Sequence, residues 1–249
     1  MRPFFHIVVP FYNVEQWIVN CIRSIKAQEY KNYKVVLVND MSTDNTVEII
    51  DREILDNDQF TLISTGKNGG ALNSAILGIE AASPAPEDVI IVLDGDDWLA
   101  KMTSLTVVAN SYHKEGCLLT YGSYAEFPGG MRGKFSKKVP DEVLKGKLFR
   151  ENEWMTSHLR TFKYKLWEKI KKEDVLDEDG KVFSMAGDLP VMFPMLEMAE
   201  ERSHFIEELI HVYNRSNPLN EDKVNHSHQL RIEAIVRRKT KYPRLEEMD

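Results

Sequence analysis

Three carboxylates fall within four positions at the end of an apolar run. Val89 to Leu93 reads VIIVL, and Asp94, Asp96 and Asp97 follow around Gly95. Carboxylates this close repel one another, so the cluster costs free energy unless a cation or hydrogen-bond donors compensate. Carboxylate oxygens suit hard divalent cations such as Mn2+ or Mg2+, which stabilise an anionic ligand or leaving group as Lewis acids. The plain alternative is an acidic turn that caps the next helix. An unbroken apolar run reads as a strand buried on both faces. The carboxyl end of such a strand is where open α/β sheets bind their ligands. Gly95 lets the backbone turn tightly between the acids.

The elements that must hold this cluster follow from the pattern upstream. Phe4 to Val9 reads as a strand ended by Pro10, and Val14, Trp17, Ile18, Cys21, Ile22 and Ile25 repeat at helical spacing. Lys34 to Val38 (KVVLV) is a second buried strand running into Asn39 and Asp40. Ser42, Thr43, Asp44 and Asn45 then offer helix caps before Val47, Ile50 and Ile54. Phe60 to Ser64 is a third strand, Lys67-Asn68-Gly69-Gly70 a turn, and Leu72 to Ile79 a helix stopping near Ser83-Pro84. The order β-α-β-α-β-α-β implies parallel strands with right-handed crossovers. Ligand loops should then gather at Pro10 to Asn13, Asn39 to Asp44, Thr65 to Gly70 and Asp94 to Asp97.

The remaining pattern is weaker. Leu105 to Tyr112 predicts a helix, Cys117 to Tyr121 a strand, and Phe127 to Val139 a Gly- and Lys-rich loop. Further expectations are a strand from Trp154 to Phe162, a Met-bearing helix from Leu189 to Glu200 and a strand from Ile210 to Tyr213. A basic helical tail from His228 is expected to be solvated. At 249 residues and 43% hydrophobic the chain can bury one large core, and its net charge of −7 argues against nucleic-acid binding as the main task. Cys21 and Cys117 are expected to be core thiols in a reducing compartment. FFHIVVPF is too short for a signal peptide, and no apolar run approaches a membrane span, so a cytoplasmic protein is expected.

Four motifs now stand in order: Val9-Pro10-Phe11-Tyr12-Asn13, Val38-Asn39-Asp40-Met41-Ser42-Thr43-Asp44, Asn68-Gly69-Gly70-Ala71-Leu72-Asn73, and Leu93-Asp94-Gly95-Asp96-Asp97. Together they resemble family 2 glycosyltransferases, inverting enzymes of the GT-A fold. The resemblance is dense over the first hundred residues and looser to about residue 213. It implies an α/β protein with a Rossmann-like mixed sheet flanked by helices, in a single domain over 1–249. Residues 1–99 would bind the nucleotide sugar, and 100–249 the acceptor. It implies a sugar-nucleotide site of Pro10, Tyr12, Asn13, Asp40, Asn68, Gly69, Asp94 and Asp96. Asp40 would read a uracil base, Asp96 and Asp97 would serve the ribose and metal, and Asp188 would be the catalytic base. Asn39, Leu72 and Gly187 depart from the family's frequent Asp, Arg and Glu. Lys67, His226 or the basic tail would then serve in place of that Arg.

Other residues carry two readings each. Asp188 precedes an apolar helix and would serve as its N-cap, as a base, or both. His158 and Arg160, two apart in the expected strand, would face an acceptor or phosphate if they are not core. His226 and His228 would add metal ligands or lie in a surface loop. Trp98 and Trp154 would stack on sugar or simply pack. The function expected is metal-dependent transfer of a sugar, UDP-linked, to a hydroxyl of a glycan or glycoconjugate. A Mg2+-dependent phosphohydrolase would carry its acidic motif after the first strand, and an inactive sugar-nucleotide-binding module would not need all four acids. Neither G-x-G-x-x-G nor G-x-x-x-x-G-K-[ST] occurs in the expected places.

Overall fold

β-branched runs alternate with helical stripes through the first hundred residues, and the chain folds accordingly in the computed structural model, which describes residues 2–114 and 116–246. In order come β1 (Phe5–Phe11), α1 (Ile18–Lys26), β2 (Tyr33–Asn39), α2 (Thr46–Ile54), β3 (Phe60–Ser64), α3 (Ala71–Ala82) and β4 (Val89–Val92). The four strands are parallel, in the order β3-β2-β1-β4. Successive strand residues point to opposite faces. Val8, Val36, Val38 and Ile90 pack with α3, whereas Ile7, Val9, Leu37 and Ile91 pack with Ile18, Ile22 and Ile50 of α1 and α2.

Pro10 does not end the first strand, which runs one residue further to Phe11. The Pro10 carbonyl accepts the Gly95 N–H at 3.0 Å beyond the last β1/β4 pair, Val8 with Val92. The N–H that proline lacks would face that same side, where β4 has already ended, so no ladder bond is lost.

The second half continues the same sheet. It comprises β5 (Trp98–Leu99), α4 (Ser104–Tyr112), β6 (Leu119–Phe127), β7 (Met131–Arg132), α5 (Asp141–Gly146), β8 (Arg160–Lys163), α6 (Tyr164–Trp167), α7 (Leu189–Ala199), β9 (Ser203–Asn214), α8 (Glu221–Val224) and α9 (His226–Arg238). The path extends β4-β8-β6-β9-β5, with β8 antiparallel to both neighbours and β9 parallel to β6. The carboxyl ends of β4 and β9 and the start of β8 therefore share one sheet edge.

Three expectations change here. The strand over Trp154 to Phe162 shrinks to Arg160–Lys163, because β4 offers only four residues of edge, Val89 to Val92, to pair with it. His158 thus precedes the strand instead of sitting mid-strand. The late strand is longer than Ile210 to Tyr213 and begins at Ser203, since β6 supplies a nine-residue partner. The basic tail is not simply solvated: Arg237 Nη1 donates to the carbonyls of Arg150 and Asn152, and Arg244 pairs with Glu200 and Glu201. Beneath it, Arg150 and Glu197 form a bidentate ion pair of 2.5 and 2.9 Å with side chains 3% and 0% exposed. Arg150 also donates to the Val236 carbonyl, and Glu197 accepts the Tyr242 N–H. Cys21 and Cys117 are buried free thiols, and Met192, Met195 and Met198 fill the core as expected.

Candidate active site

A cleft of about 1340 Å³ opens along the shared sheet edge. One wall comes from the loops after β1, β2 and β4. Asp40, at the end of β2, is only 3% exposed. Its Oδ1 accepts the Gly69 N–H at 2.9 Å and the Thr65 hydroxyl at 3.1 Å, and its Oδ2 accepts the Gly70 N–H at 2.8 Å. Asn68 Nδ2 donates to the Asp40 carbonyl. The turn that opens α3 is thus pinned to the end of β2. Gly70 sits at φ +86°, a conformation that a Cβ disfavours.

Gly95 is needed for a different reason from the tight turn expected. A Cβ there would lie 2.6 Å from the Phe11 Cβ, so the acidic loop touches β1 only because position 95 is bare. Asp94 and Asp96 line the cleft. Burial, reinforced by the neighbouring Asp97 charge, pushes the Asp96 carboxyl up to about 8, although Asn217 Nδ2 donates to Oδ2 at 2.7 Å. A partly buried carboxyl whose ionised form is disfavoured by desolvation and then by like charge is one that a cation would favour in its ionised form. The all-oxygen donors Asp94 and Asp96 therefore fit a hard divalent ion.

Asp97, expected as a metal ligand, is instead fully buried under the loop. Its Oδ1 accepts the Asn214 N–H at 2.8 Å and its Oδ2 lies 2.9 Å from His211 Nε2. Burial pushes the Asp97 carboxyl up and His211 down to about 3, so His211 is a neutral imidazole whose Nδ1 has no partner among the described residues. His158 stacks on His211 (4.7 Å between centroids, 5° between planes) and on Tyr213 (5.0 Å, 18°), with Tyr124 edge-on. Asp97, His158 and His211 form the one grouping of three metal-ligand types among the described residues. Hydrogen bonding and ring stacking already account for its geometry, and it anchors β9 beneath the acidic loop.

The opposite wall carries Asp188 and Arg160. Asp188 precedes α7, yet its side chain makes no capping hydrogen bond among the described residues. Its carbonyl accepts the Met192 N–H, while Oδ2 accepts from Arg160 Nη1 at 3.2 Å. Arg160 Nη2 also lies 3.8 Å from Asp94 Oδ2, so one guanidinium spans the two walls.

Of the expected site residues, Pro10, Tyr12, Asp40, Asn68, Asp94 and Asp96 line the cleft, as do Trp154, His158, Arg160, Asp188 and His226. The others lie off the lining. Asn13 hydrogen-bonds Ser42 and Thr43, tying the β1 loop to the β2 loop. Gly69 contributes its N–H to Asp40. Trp98 sits in β5, edge-on to Phe127. His228 Nε2 lies 3.2 Å from the Ser184 hydroxyl, and neither His226 nor His228 gathers with the carboxylates in a three-ligand group. Asn225 caps α9 by accepting the His228 N–H, which fixes where both rings start. Residues not anticipated are Asn217, His211 and Asn214. Asn214 and Asn217 fall in a polar run at and after the end of the late strand, and His211 is the one polar residue within the expected Ile210 to Tyr213 strand.

Comparison with known proteins bears on the family and the fold. A model described as glycosyl transferase family 2 matches residues 6–176. Glycosyltransferase GlyG of Streptococcus pneumoniae is 28% identical over 127 residues, 51% of this chain and 41% of that protein. The chain spans less than half the length of the first curated relatives it matches. Among solved structures, Staphylococcus aureus TarS in complex with UDP-GlcNAc superposes with a TM-score of 0.70 at 16% identity, covering 94% of this chain and 66% of that one. The mannosyltransferase PcManGT of Pyrobaculum calidifontis, in complex with GDP-Man and Mn2+, gives 0.55 at 18% identity, covering 86% and 57%. These structural likenesses establish a shared mixed-sheet fold. Among the described residues, no helix is long and apolar enough to cross a membrane.

Proposed function

Given that the chain belongs to glycosyl transferase family 2, we propose that it moves a sugar, with inversion, from a uridine diphosphate donor to a hydroxyl of a glycan or similar glycoconjugate. The observation that carries this reading is the opposition of Asp94 and Asp96 on one wall to Asp188 on the other. Inversion by single displacement needs a base that takes the acceptor proton while the oxygen attacks opposite the leaving diphosphate. Asp188 suits that role because its carboxylate is aimed into the cleft and is not spent on capping its helix. Arg160 orients it. Asp40 would accept the uracil N3–H through lone pairs left over from its three hydrogen bonds.

Asp94 and Asp96 would hold Mn2+ or Mg2+, which when bound supplies Lewis-acid stabilisation of the diphosphate charge. Asn217 keeps the Asp96 carboxyl oriented toward that position. In this reading residues 1–99 serve the nucleotide, and the later part of the same domain supplies the base and the acceptor wall. The neighbour solved with UDP-GlcNAc supports a uridine donor, and the one solved with Mn2+ supports a divalent ion.

The test is a donor screen: purified protein, Mn2+ and a panel of sugar nucleotides with candidate glycan acceptors, scored by released nucleotide. Calorimetry with UDP is run beside it, with and without chelator. UDP binding that is equally tight in chelator would remove the metal from the proposal. Failure of UDP to bind at all would remove the uridine donor.

A further inference from the structure

Arg160 opens β8, and its backbone is fixed by pairing with Val92 at the end of β4, two residues before Asp94. Its side chain is 12% exposed, and its two terminal nitrogens part company. Nη1 donates to Asp188 Oδ2 at 3.2 Å, whereas Nη2 lies 3.8 Å from Asp94 Oδ2. The first contact is a hydrogen bond and the second a looser ion pair. One cation thus serves two carboxylates on opposite walls.

Asp94 is also one of the two carboxylates that would hold a divalent ion, and it cannot serve both cations equally. A guanidinium shielded from water places a like charge beside the incoming ion and pairs with a carboxylate that the ion would use. Of the two ties that Arg160 makes, the one to Asp94 is the looser, so it is the one that yields. A diphosphate offers the released nitrogens a better partner, because guanidinium binds phosphate oxygens through charge-assisted, bidentate hydrogen bonds.

We propose that Arg160 is a resident counter-ion of Asp94 that competes with the divalent ion. The metal position is then weak in the free protein and strengthens when a nucleotide diphosphate takes over the guanidinium. The inference rests on the transferase reading, with its ion at Asp94 and Asp96, and adds that one side chain makes metal and donor binding depend on each other. Such coupling is reciprocal: whatever factor UDP adds to metal affinity, the metal adds to UDP affinity. Direct contact between ion and diphosphate would couple them as well, so the share that Arg160 carries is read by removing it.

The experiment is calorimetric titration of Mn2+ into the unaltered protein, Arg160→Gln and Arg160→Lys, each with and without saturating UDP. Without nucleotide, Arg160→Gln should bind Mn2+ roughly tenfold tighter or more, while transfer falls because Asp188 loses the group that orients it. Structural damage to the site would weaken both, so opposite signs mark competition. UDP should strengthen Mn2+ binding by a smaller factor in Arg160→Gln than in the unaltered protein. Arg160→Lys, whose single ammonium stays with the nearer Asp188, should tighten Mn2+ severalfold. Adding Asp94→Asn to Arg160→Gln should cancel the gain. Equal or weaker Mn2+ binding in Arg160→Gln, a gain that survives Asp94→Asn, or an unchanged UDP factor overturns the inference alone. Mn2+ that binds none of these proteins, even with UDP, removes the metal reading on which it rests. Asp94 and Asp188 are both partly open to water, so the loss of Arg160 strands no fully buried charge. Melting curves check this, and if Arg160→Gln unfolds, Arg160→Lys decides: Mn2+ affinity no tighter than the parent's overturns the competition.

Discussion

Two regions of the cleft, the turn around Asp40 and the acidic loop after β4, are held in opposite ways. On the nucleotide wall, Asp40 binds N–H groups only 29 and 30 positions ahead of it, across the single α2-β3 crossover between β2 and α3. Beneath the acidic loop, Asp97 is fixed to Asn214 and Asp96 to Asn217, across 117 and 121 positions. The Asp40 turn therefore forms as soon as the first parallel strands do. The acidic loop is anchored only once β9 has paired with β6, and the second wall, with Asp188, is complete only when the tail has closed over α7. Closing long loops before their contacts form is entropically costly, so the second wall should be the last to order.

Substitutions on each side should expose the difference. The largest effect is expected at Asp188: Asp188→Asn keeps the shape, and because the side chain makes no cap bond, melting temperature and UDP affinity should hold. Transfer should fall by roughly 10² to 10⁴-fold, the usual worth of a general base. Unchanged turnover would falsify the base assignment, and loss of stability along with activity would show that residue 188 supports its helix after all.

Asp97→Ala attacks the long-range anchor instead. It leaves the Asn214 N–H and His211 Nε2 buried without a partner, which should destabilise the protein by about 2–4 kcal/mol. That corresponds to a drop of several degrees in melting temperature for a domain of this size. A melting curve superimposable on the parent's would show that the anchor is dispensable.

Asp40→Ala tests the local wall. A uracil N–H would be left unpaired in a dry pocket, at a cost of roughly 1–3 kcal/mol in the preference for UDP over ADP and GDP. Competition binding reads this directly, and an undiminished preference for UDP would mean that another group recognises the base.

The smallest effect concerns pH. Asp96 is pushed up to about 8 by burial and by Asp97, so below that value it is protonated and cannot bind a cation. Mn2+ affinity should fall about tenfold for each pH unit below 8. The same shift makes the metal-free protein less stable as pH rises from about 4 to 8, because the folded state keeps a proton that the unfolded state releases. Titrations with Mn2+ at pH 6, 7 and 8 that give one affinity would show that Asp96 is ionised throughout.

How much of this was legible in the sequence follows the same division. The four parallel strands, their helices and the acidic loop were readable because their signals are local: unbroken β-branched runs, 3.6-residue stripes, and glycines beside carboxylates. Asp97 could not be separated from Asp96, since adjacent carboxylates look alike until His211 arrives from the far end of the sheet. The Trp154 to Phe162 segment reads as a strand on composition, but strand length is set by the four-residue edge of β4, which composition does not state. The basic tail looks like a solvent-facing helix because Glu197, which holds its base through Arg150, lies about forty positions away in an otherwise apolar helix. His226 and His228 carried a ligand signal by type alone, beside the reading as a surface loop, and neither shows that Asn225 starts a helix there.

The Arg150–Glu197 pair has a bearing on how this fold can be cut and recombined. Glu197 lies on the helix that begins beside Asp188, and the same carboxylate receives the Tyr242 N–H. Residues 226–245 are thus a keystone for the base and not an appendage. A chimera that keeps the chain to the end of β9 and grafts a foreign C-terminus would leave a buried carboxylate and guanidinium short of partners. Each such lost hydrogen bond to a buried charged group typically costs about 1.5–3 kcal/mol. The splice point that respects the architecture lies beyond Leu245, whose N–H still reaches back to the Met198 carbonyl.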